Sequence, residues 1–329
     1  MRFSAAARTG ADVFVILGNR RTLSAWRVSV KKKLIWLGLF AVLCSSAFAQ
    51  VKDPVANWTT LAGWDYQVDA NIVYKKASGF DQKLDVIYAR DKSQPRPTLI
   101  YIHGGGWIGG SKESVSLLLL PYLARGMNVV NVEYRLASVA LAPAAVEDCR
   151  CALYWVYANA KTYGFDTNRL VVTGHSAGGH LSLTTGMLTS ADGFDNECLG
   201  EREVKVATIV NFFGITDVLD VVEGPNRKFY APPWFGSLPG KEDLAKKLSP
   251  LNYVRKGNPP IITIHGDNDA LVPYAHAVRL HAALNRAGVP NQLVTIPGKG
   301  HGDFNHEQWV MAQDTIFAFL ARQGIIGQP

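Results

Sequence analysis

The chain has 329 residues, of which 48% are hydrophobic and 19% are charged. This composition is typical of a globular protein, and it excludes a disordered tail, a collagen-like repeat and a small disulfide-stapled scaffold. The formal net charge of +7 does not indicate a nucleic-acid partner, because eight basic residues and only one acid lie in residues 1–49. The remaining 26 basic and 26 acidic residues balance, whereas a groove for phosphate backbones requires a basic excess.

The N-terminal residues are typical of a secretory leader. Three lysines at 31–33 precede ten apolar residues at 34–43, and Ala47-Phe48-Ala49 follows. A positive start, a short apolar run and an A-x-A site indicate a signal peptide, and ten apolar residues are too few to span a bilayer. An uncleaved anchor and a buried helix are the alternatives.

We therefore expect a leader over residues 1–49, with the signal proper at about 30–49 and cleavage after Ala49. The mature protein would be secreted or periplasmic, without stable membrane insertion, and would form a single domain over residues 50–329. Three cysteines would remain, so at least one stays unpaired within the chain. Either Cys149 or Cys151 pairs with Cys198, or the thiols are free and buried.

Strand-like apolar runs alternate with helical patterns in the rest of the chain. The predicted strands are 72–76, 83–89, 98–103, 128–132, 170–174, 205–212, 261–266 and 292–296. The predicted helices are 113–125, 144–163, 177–189, 274–287 and 306–322. Because this alternation indicates βαβ units, we expect an α/β fold with a mostly parallel eight-stranded sheet and helices on both faces. The first two strands have no helix between them and predict an antiparallel edge. Residues 221–247 are predicted to be irregular, serving either function or surface cover.

The strongest motif is Gly174-His175-Ser176-Ala177-Gly178, which follows one predicted strand and opens a helix. This context is that of a nucleophile elbow, in which the serine hydroxyl is exposed at a sharp turn. His103-Gly104-Gly105-Gly106-Trp107 follows another strand, and its backbone N–H groups can stabilise an oxyanion. We assign the oxyanion hole to Gly105, Gly106 and Ala177.

A serine nucleophile needs a base, and the base needs an orienting carboxylate. Downstream of Ser176, His265-Gly266-Asp267-Asn268-Asp269 and Gly300-His301-Gly302 each follow a predicted strand. The order serine, acid, histidine is that of elbow-type hydrolases. We predict His301 as the base and Asp269 as the acid. Asp267 is assigned to capping its turn, and Asp303 lies too near His301 in sequence. The remaining histidines show no metal-binding pattern.

These residues resemble the α/β-hydrolase superfamily, in its HGGG-type carboxylesterase branch near bacterial acetylxylan, feruloyl and hormone-sensitive-lipase-like enzymes. The resemblance extends from about residue 73 to 320 and includes Glu133-Tyr134-Arg135 and Ser249-Pro250. Where many relatives carry aspartate before the serine, this chain has His175. The resemblance implies a secreted serine carboxylesterase that acts on short-chain acyl esters, with acetyl or feruloyl esters of plant polysaccharide as candidates. It implies no cofactor and no metal.

The resemblance leaves the substrate site less defined. Any lid must be small and come from residues 192–203 or 221–247. Four aromatic residues are candidates for substrate binding, with ordinary core packing as the alternative: Trp107, Tyr230, Trp234 and Phe235. The partner would be a small-molecule or polysaccharide-linked ester, and the oligomeric state is not indicated.

Two other functions fit the same motifs. An amidase, such as an arylformamidase or a small peptidase, uses the same triad through the same kind of acyl-enzyme. A non-catalytic binding protein on a hydrolase scaffold is a more remote alternative.

Overall fold

All eight predicted strands have counterparts, and three of the five predicted helices have counterparts of similar extent, in a computed structural model, which describes residues 54–200 and 203–327. The strands are β1 (Tyr66–Ala77), β2 (Phe80–Ala89), β3 (Arg96–Ile102), β4 (Asn128–Val132), β5 (Phe165–His175), β6 (Thr208–Phe212), β7 (Ile261–Gly266) and β8 (Asn291–Ile296). The α-helices are α1 (Pro54–Asp65), α2 (Leu120–Leu123), α3 (Ala144–Ala158), α4 (Ala160–Tyr163), α5 (Ala177–Met187), α6 (Val218–Val222), α7 (Ala231–Phe235), α8 (Lys241–Lys247), α9 (Ala275–Arg286) and α10 (His306–Arg322). Three 3₁₀ segments cover Lys112–Leu119, Ser190–Asp192 and Pro250–Tyr253.

The eight strands form one sheet in the order β1-β2-β4-β3-β5-β6-β7-β8. β2 pairs antiparallel with β1 and with β4, and all other pairs are parallel. The mostly parallel sheet and its antiparallel edge are thus confirmed. Every residue of β4, β6 and β7 is buried, as expected for parallel strands covered on both faces.

Two hydrophobic clusters cover the two faces of the sheet. One includes apolar side chains of α3, α5 and α9, and the other includes side chains of the Lys112–Leu119 segment, α2 and α10. Because β3 to β8 are parallel, their carboxyl ends lie along one edge of the sheet. In sheets of this kind, sites form at that edge.

Two predicted helices differ in the structure. The span 113–125 forms a 3₁₀ segment and then the four-residue α2. Ser114 and Ser116 each donate a side-chain hydrogen bond to the carbonyl three residues earlier, at 2.6 and 2.9 Å, and such local bonds compete with regular helix. Pro121 lies in the first turn of α2, where proline is tolerated. The span 144–163 is divided at Asn159. This residue has a non-helical backbone conformation and caps the C-terminus of α3.

The segment over residues 221–247 is less irregular than its composition indicates, because it contains α7, α8 and the end of α6. Cys151 forms a disulfide with Cys198, and Cys149 is a buried free thiol. The predicted leader lies outside the described residues. In the described part of the chain, no helix is both long and apolar enough to cross a membrane.

Candidate active site

The nucleophile candidate Ser176 lies at the turn between β5 and α5. Its φ is +57° and its ψ is −121°, a backbone conformation that non-glycine residues rarely adopt. The turn is held by a hydrogen bond from Ser176 N–H to Phe212 O at 2.9 Å. A Cβ at Gly174 or Gly178 would lie 2.3 or 2.1 Å from Ile102 O. Both flanking positions therefore require glycine, and the turn has the geometry of a nucleophile elbow.

The glycine-rich loop after β3 leaves backbone donors free. Gly105 and Gly106 have φ values of +121° and +61°. A Cβ at Gly105 would lie 2.0 Å from Gly109 O. Among the described residues, the N–H groups of Gly105 and Gly106 donate to no protein backbone or side-chain acceptor. Ala177 is the first residue of α5, where an N–H has no intrahelical acceptor. The assignment of these three donors to an oxyanion hole stays a prediction.

Buried polar contacts fix the base of this loop. His103 is fully buried, and its Nδ1 lies 2.7 Å from Gly104 O. The Tyr134 hydroxyl donates to His103 O at 3.2 Å, and the two rings stack with centroids 4.3 Å apart. Glu133 lies 3.4 Å from His103 Nε2 and accepts from Lys112 N–H at 2.8 Å. His103 thus supports the loop.

The acid and base candidates contact each other directly. His301 Nδ1 lies 2.7 Å from Asp269 Oδ2. Asp269 Oδ1 accepts the backbone N–H groups of Leu271 and Val272 at 2.8 and 2.9 Å. Because Nδ1 of His301 donates to the carboxylate, Nε2 is left as the unprotonated nitrogen of a neutral ring. That is the tautomer a general base needs.

The environment of Asp269 favours its ionised form. Its side chain is fully buried, and burial alone would raise the pKa. Hydrogen bonds from His265 and His301, the positive charge that His301 carries when protonated, and the Val272 N–H outweigh burial and lower the pKa of Asp269 well below its usual value. The sequence argument did not assign His265 to this site. Its Nε2 lies 3.2 Å from Asp269 Oδ2 and 3.0 Å from Val272 O. The sequence signal for this contact is the spacing of four residues between His265 and Asp269 across the turn after β7.

The two competing carboxylates have other partners. Asp267 Oδ1 accepts Gly298 N–H at 2.6 Å. Asp303 Oδ1 accepts Gly300 N–H, also at 2.6 Å. Both therefore hold the backbone of the turn that carries His301. Among the described residues, Asp269 is the carboxylate paired with His301.

A cavity of about 560 Å³ opens beside His301. His175, the residue before Ser176, shares its wall with His301. The Tyr101 hydroxyl lies 3.3 Å from His175 Nδ1. Burial, together with the nearby His103 and His301, lowers the pKa of His175 to about 4, so this ring is neutral at pH 7. Ser176, Asp269 and His301 follow β5, β7 and β8 and lie at the same edge of the sheet.

The proposed substrate-binding aromatics are corrected by the structure. Trp107, Trp234 and Phe235 are fully buried, and Tyr230 is 6% exposed. The indole rings of Trp107 and Trp234 stack with centroids 4.2 Å apart. The Trp107 indole N–H donates to Nδ1 of His180 at 3.2 Å. With φ at +62°, Trp107 turns into the core beneath the glycine loop, so these side chains support the loop and do not line the cavity.

Apart from His301, the cavity walls come from residues that the sequence argument did not select for the site. They include Tyr101, Leu117, Leu118, Phe213, Trp309 and Val310. These residues belong to β3, a 3₁₀ segment, the position directly after β6 and α10, so only the tertiary fold brings them together. In the described part of the chain, no group of His, Cys, Asp and Glu has an arrangement that could hold a metal ion.

The known proteins to which this chain is similar include several esterases. The BD-FAE family model matches residues 84–284. Esterase LipC of Mycobacterium tuberculosis is 29% identical over 67% of this chain and 57% of its own length. The chain thus spans little more than half the length of the curated relatives that it matches.

Two solved structures are similar over most of the described fold. The esterase Est2 of Thermogutta terrifontis is 26% identical with a TM-score of 0.67, covering 80% of this chain and 94% of Est2. Est2 has also been solved with propionate bound, with butyrate bound and phosphorylated by paraoxon. A truncated carbohydrate esterase from gut microbiota is 26% identical with a TM-score of 0.65, covering 78% of this chain and 96% of the esterase.

Proposed function

The chain belongs to the BD-FAE family of α/β-hydrolases, and on this premise we propose that it hydrolyses carboxylic esters with Ser176 as the nucleophile. The observation that carries the proposal is an elbow serine at φ +57° at the same edge of the sheet as a partly exposed His301 that is paired with the buried Asp269. The esterase names of the relatives and the phosphorylation of Est2 by paraoxon support a serine hydrolase.

The reaction follows from the arrangement of these groups. His301 Nε2 accepts the proton of the Ser176 hydroxyl while Oγ attacks the ester carbonyl. The N–H groups of Gly105, Gly106 and Ala177 stabilise the resulting oxyanion. The C–O bond to the alcohol breaks as protonated His301 gives its proton to the leaving oxygen. Water, activated by His301, then releases the carboxylic acid and restores Ser176. The ionised Asp269 stabilises the protonated imidazole throughout.

We propose short acyl groups, from acetyl to butyryl, as the acid part of the substrate. The propionate-bound and butyrate-bound forms of Est2 support this range. Esters of small molecules and acetyl or feruloyl esters of plant polysaccharide are the natural candidates, and the similarity to a carbohydrate esterase supports the second group. The signal-like residues 30–49 support a secreted or periplasmic protein.

The test is kcat/KM on p-nitrophenyl esters from C2 to C12. We expect the highest values at C2–C4 and a loss of about 10⁴-fold or more in Ser176→Ala. Ser93→Ala, which changes an exposed serine in the turn before β3, is the matched control and should retain activity. Equal rates in Ser176→Ala, or no hydrolysis of any ester, would overturn the proposal.

A further inference from the structure

The cavity beside His301 has the size and lining of a ligand site. At about 560 Å³, it lies within the range of small-molecule pockets. Its inner wall carries aromatic rings from Tyr101, Phe213 and Trp309. Leu118 and Val310, which belong to two elements far apart in sequence, both line it. The cavity therefore offers mainly apolar contacts.

The mouth of the cavity is mainly apolar, although the exposed side chains of His306 and Asp314 also line it. Leu117, Leu118 and Val310 line it and are 78%, 47% and 45% exposed. Leu120 and Met311, which neighbour these residues in sequence, are also exposed, at 39% and 41%. A sugar placed here would face several apolar side chains with its hydroxyls, and unpaired hydroxyls are costly to bury. An alkyl or aryl group would instead remove these side chains from water.

The position of His301 decides which half of an ester fits the cavity. His301 lies in the cavity wall, whereas Gly105, Gly106 and Ala177 do not. During acylation the protonated histidine gives its proton to the leaving alcohol. The alcohol therefore occupies the side of the site on which His301 lies.

We infer that this cavity is the subsite for the leaving alcohol, and that it selects esters of apolar alkyl or aryl alcohols over esters of sugars. The inference rests on the proposed function. It assigns the substrate class to small-molecule esters with a short acyl group and a larger apolar alcohol.

The test varies each half of the ester separately. Ethyl, butyl and hexyl acetate have alcohols of similar intrinsic reactivity, and kcat/KM reports the acylation step. We expect kcat/KM to rise about fourfold for each methylene added to the alcohol until the cavity is filled. In the matched series from ethyl acetate to ethyl hexanoate, which lengthens the acyl group, no such rise is expected.

Variants locate the effect in the cavity. Leu118→Asn and Val310→Asn should each lower the ratio of kcat/KM for hexyl acetate to that for ethyl acetate by about fivefold. Leu199→Asn is the matched control, because Leu199 is 75% exposed and lines a different cavity with Lys75. The control should leave the ratio unchanged.

The outcomes separate the inference from the proposed function. Ser176-dependent hydrolysis with a flat alcohol series, or with a rise only in the acyl series, would overturn the inference alone. A lowered ratio in Leu199→Asn, or faster hydrolysis of acetylated xylan than of hexyl acetate, would also overturn it. No Ser176-dependent hydrolysis of any ester would overturn the proposed function, and the inference with it.

Discussion

Replacement of Asp269 with asparagine tests how the His301 base is oriented. The N–H groups of Leu271 and Val272 donate to Oδ1 at 2.8 and 2.9 Å. They would hold the carbonyl oxygen of the asparagine in that position, so that its NH₂ group faces His301. The amide would then donate to Nδ1 and place the ring proton on Nε2, where it prevents acceptance of the Ser176 proton.

The expected loss in kcat/KM from this change of tautomer is about 10⁴-fold. This loss corresponds to about 5 kcal/mol of transition-state stabilisation. The fold should tolerate Asp269→Asn, because the two backbone hydrogen bonds to Oδ1 are kept and His265 Nε2 retains Val272 O as an acceptor at 3.0 Å.

The assay is kcat/KM on p-nitrophenyl acetate, with thermal unfolding of the same samples. Asp267→Asn is the control, because the amide oxygen of the asparagine can still accept Gly298 N–H and so keep the turn that carries His301. Asp269→Asn should be folded and almost inactive, and Asp267→Asn should keep most of its activity. A rate for Asp269→Asn within tenfold of the unchanged protein would refute the reasoning and direct attention to Asp303.

Three further predictions concern stability and the oxyanion loop. Replacing Cys151 and Cys198 with serine should lower the free energy of unfolding by about 4 kcal/mol, since the disulfide closes a loop with a sequence separation of 47; an unchanged urea midpoint would contradict this. Burial lowers the pKa of His180 to about 4. As the pH falls, the unfolded chain therefore binds a proton at this histidine before the folded chain does. The stability that neutral His180 contributes is complete above about pH 6.5 and is lost as the pH falls towards 4. That loss should reach about 3 kcal/mol, and urea unfolding of His180→Gln should show a shallower dependence in this window. Gly106 has a φ of +61°, and in Gly106→Ala the new Cβ would lie 2.8 Å from Tyr230 Cβ. The resulting displacement of one oxyanion donor should lower kcat by 10²- to 10³-fold. An unchanged kcat would argue against the assigned oxyanion hole.

The central strands could be predicted because their signal is local. β4 and β7 have the predicted bounds, since each is a short apolar run buried on both faces. β1 begins at Tyr66, six residues before its predicted start at Ile72. Its register shifts between Asp69 and Ile72, and Asn71 has a positive φ. Such an irregularity interrupts the alternation on which the prediction depends.

The site was predictable where the chemistry depends on a short motif. The glycines around Ser176 are required because the backbone approaches Ile102 O closely at both positions. The elbow can therefore be recognised from a few adjacent residues. In the sequence, the only sign of the contact between His265 and Asp269 is that they are four residues apart. The cavity could not be predicted, because Leu118 and Val310 line the same cavity only after the sheet and both flanking elements have formed. Contacts of this kind leave no periodic pattern in the sequence.

The buried aromatics act on the reaction through geometry and not through substrate contact. Trp107 ends the glycine loop, and its indole N–H donates to His180, which lies one turn after Ser176 in α5. The backbone N–H of His180 donates to Ser176 O at 3.0 Å. On the ring of His180, Nε2 forms a hydrogen bond with Leu248 O at 2.8 Å. The oxyanion donors and the nucleophile are therefore fixed to one buried framework. Because the side chains of this framework are buried, we expect the preference among esters to depend on the apolar cavity that His301 lines.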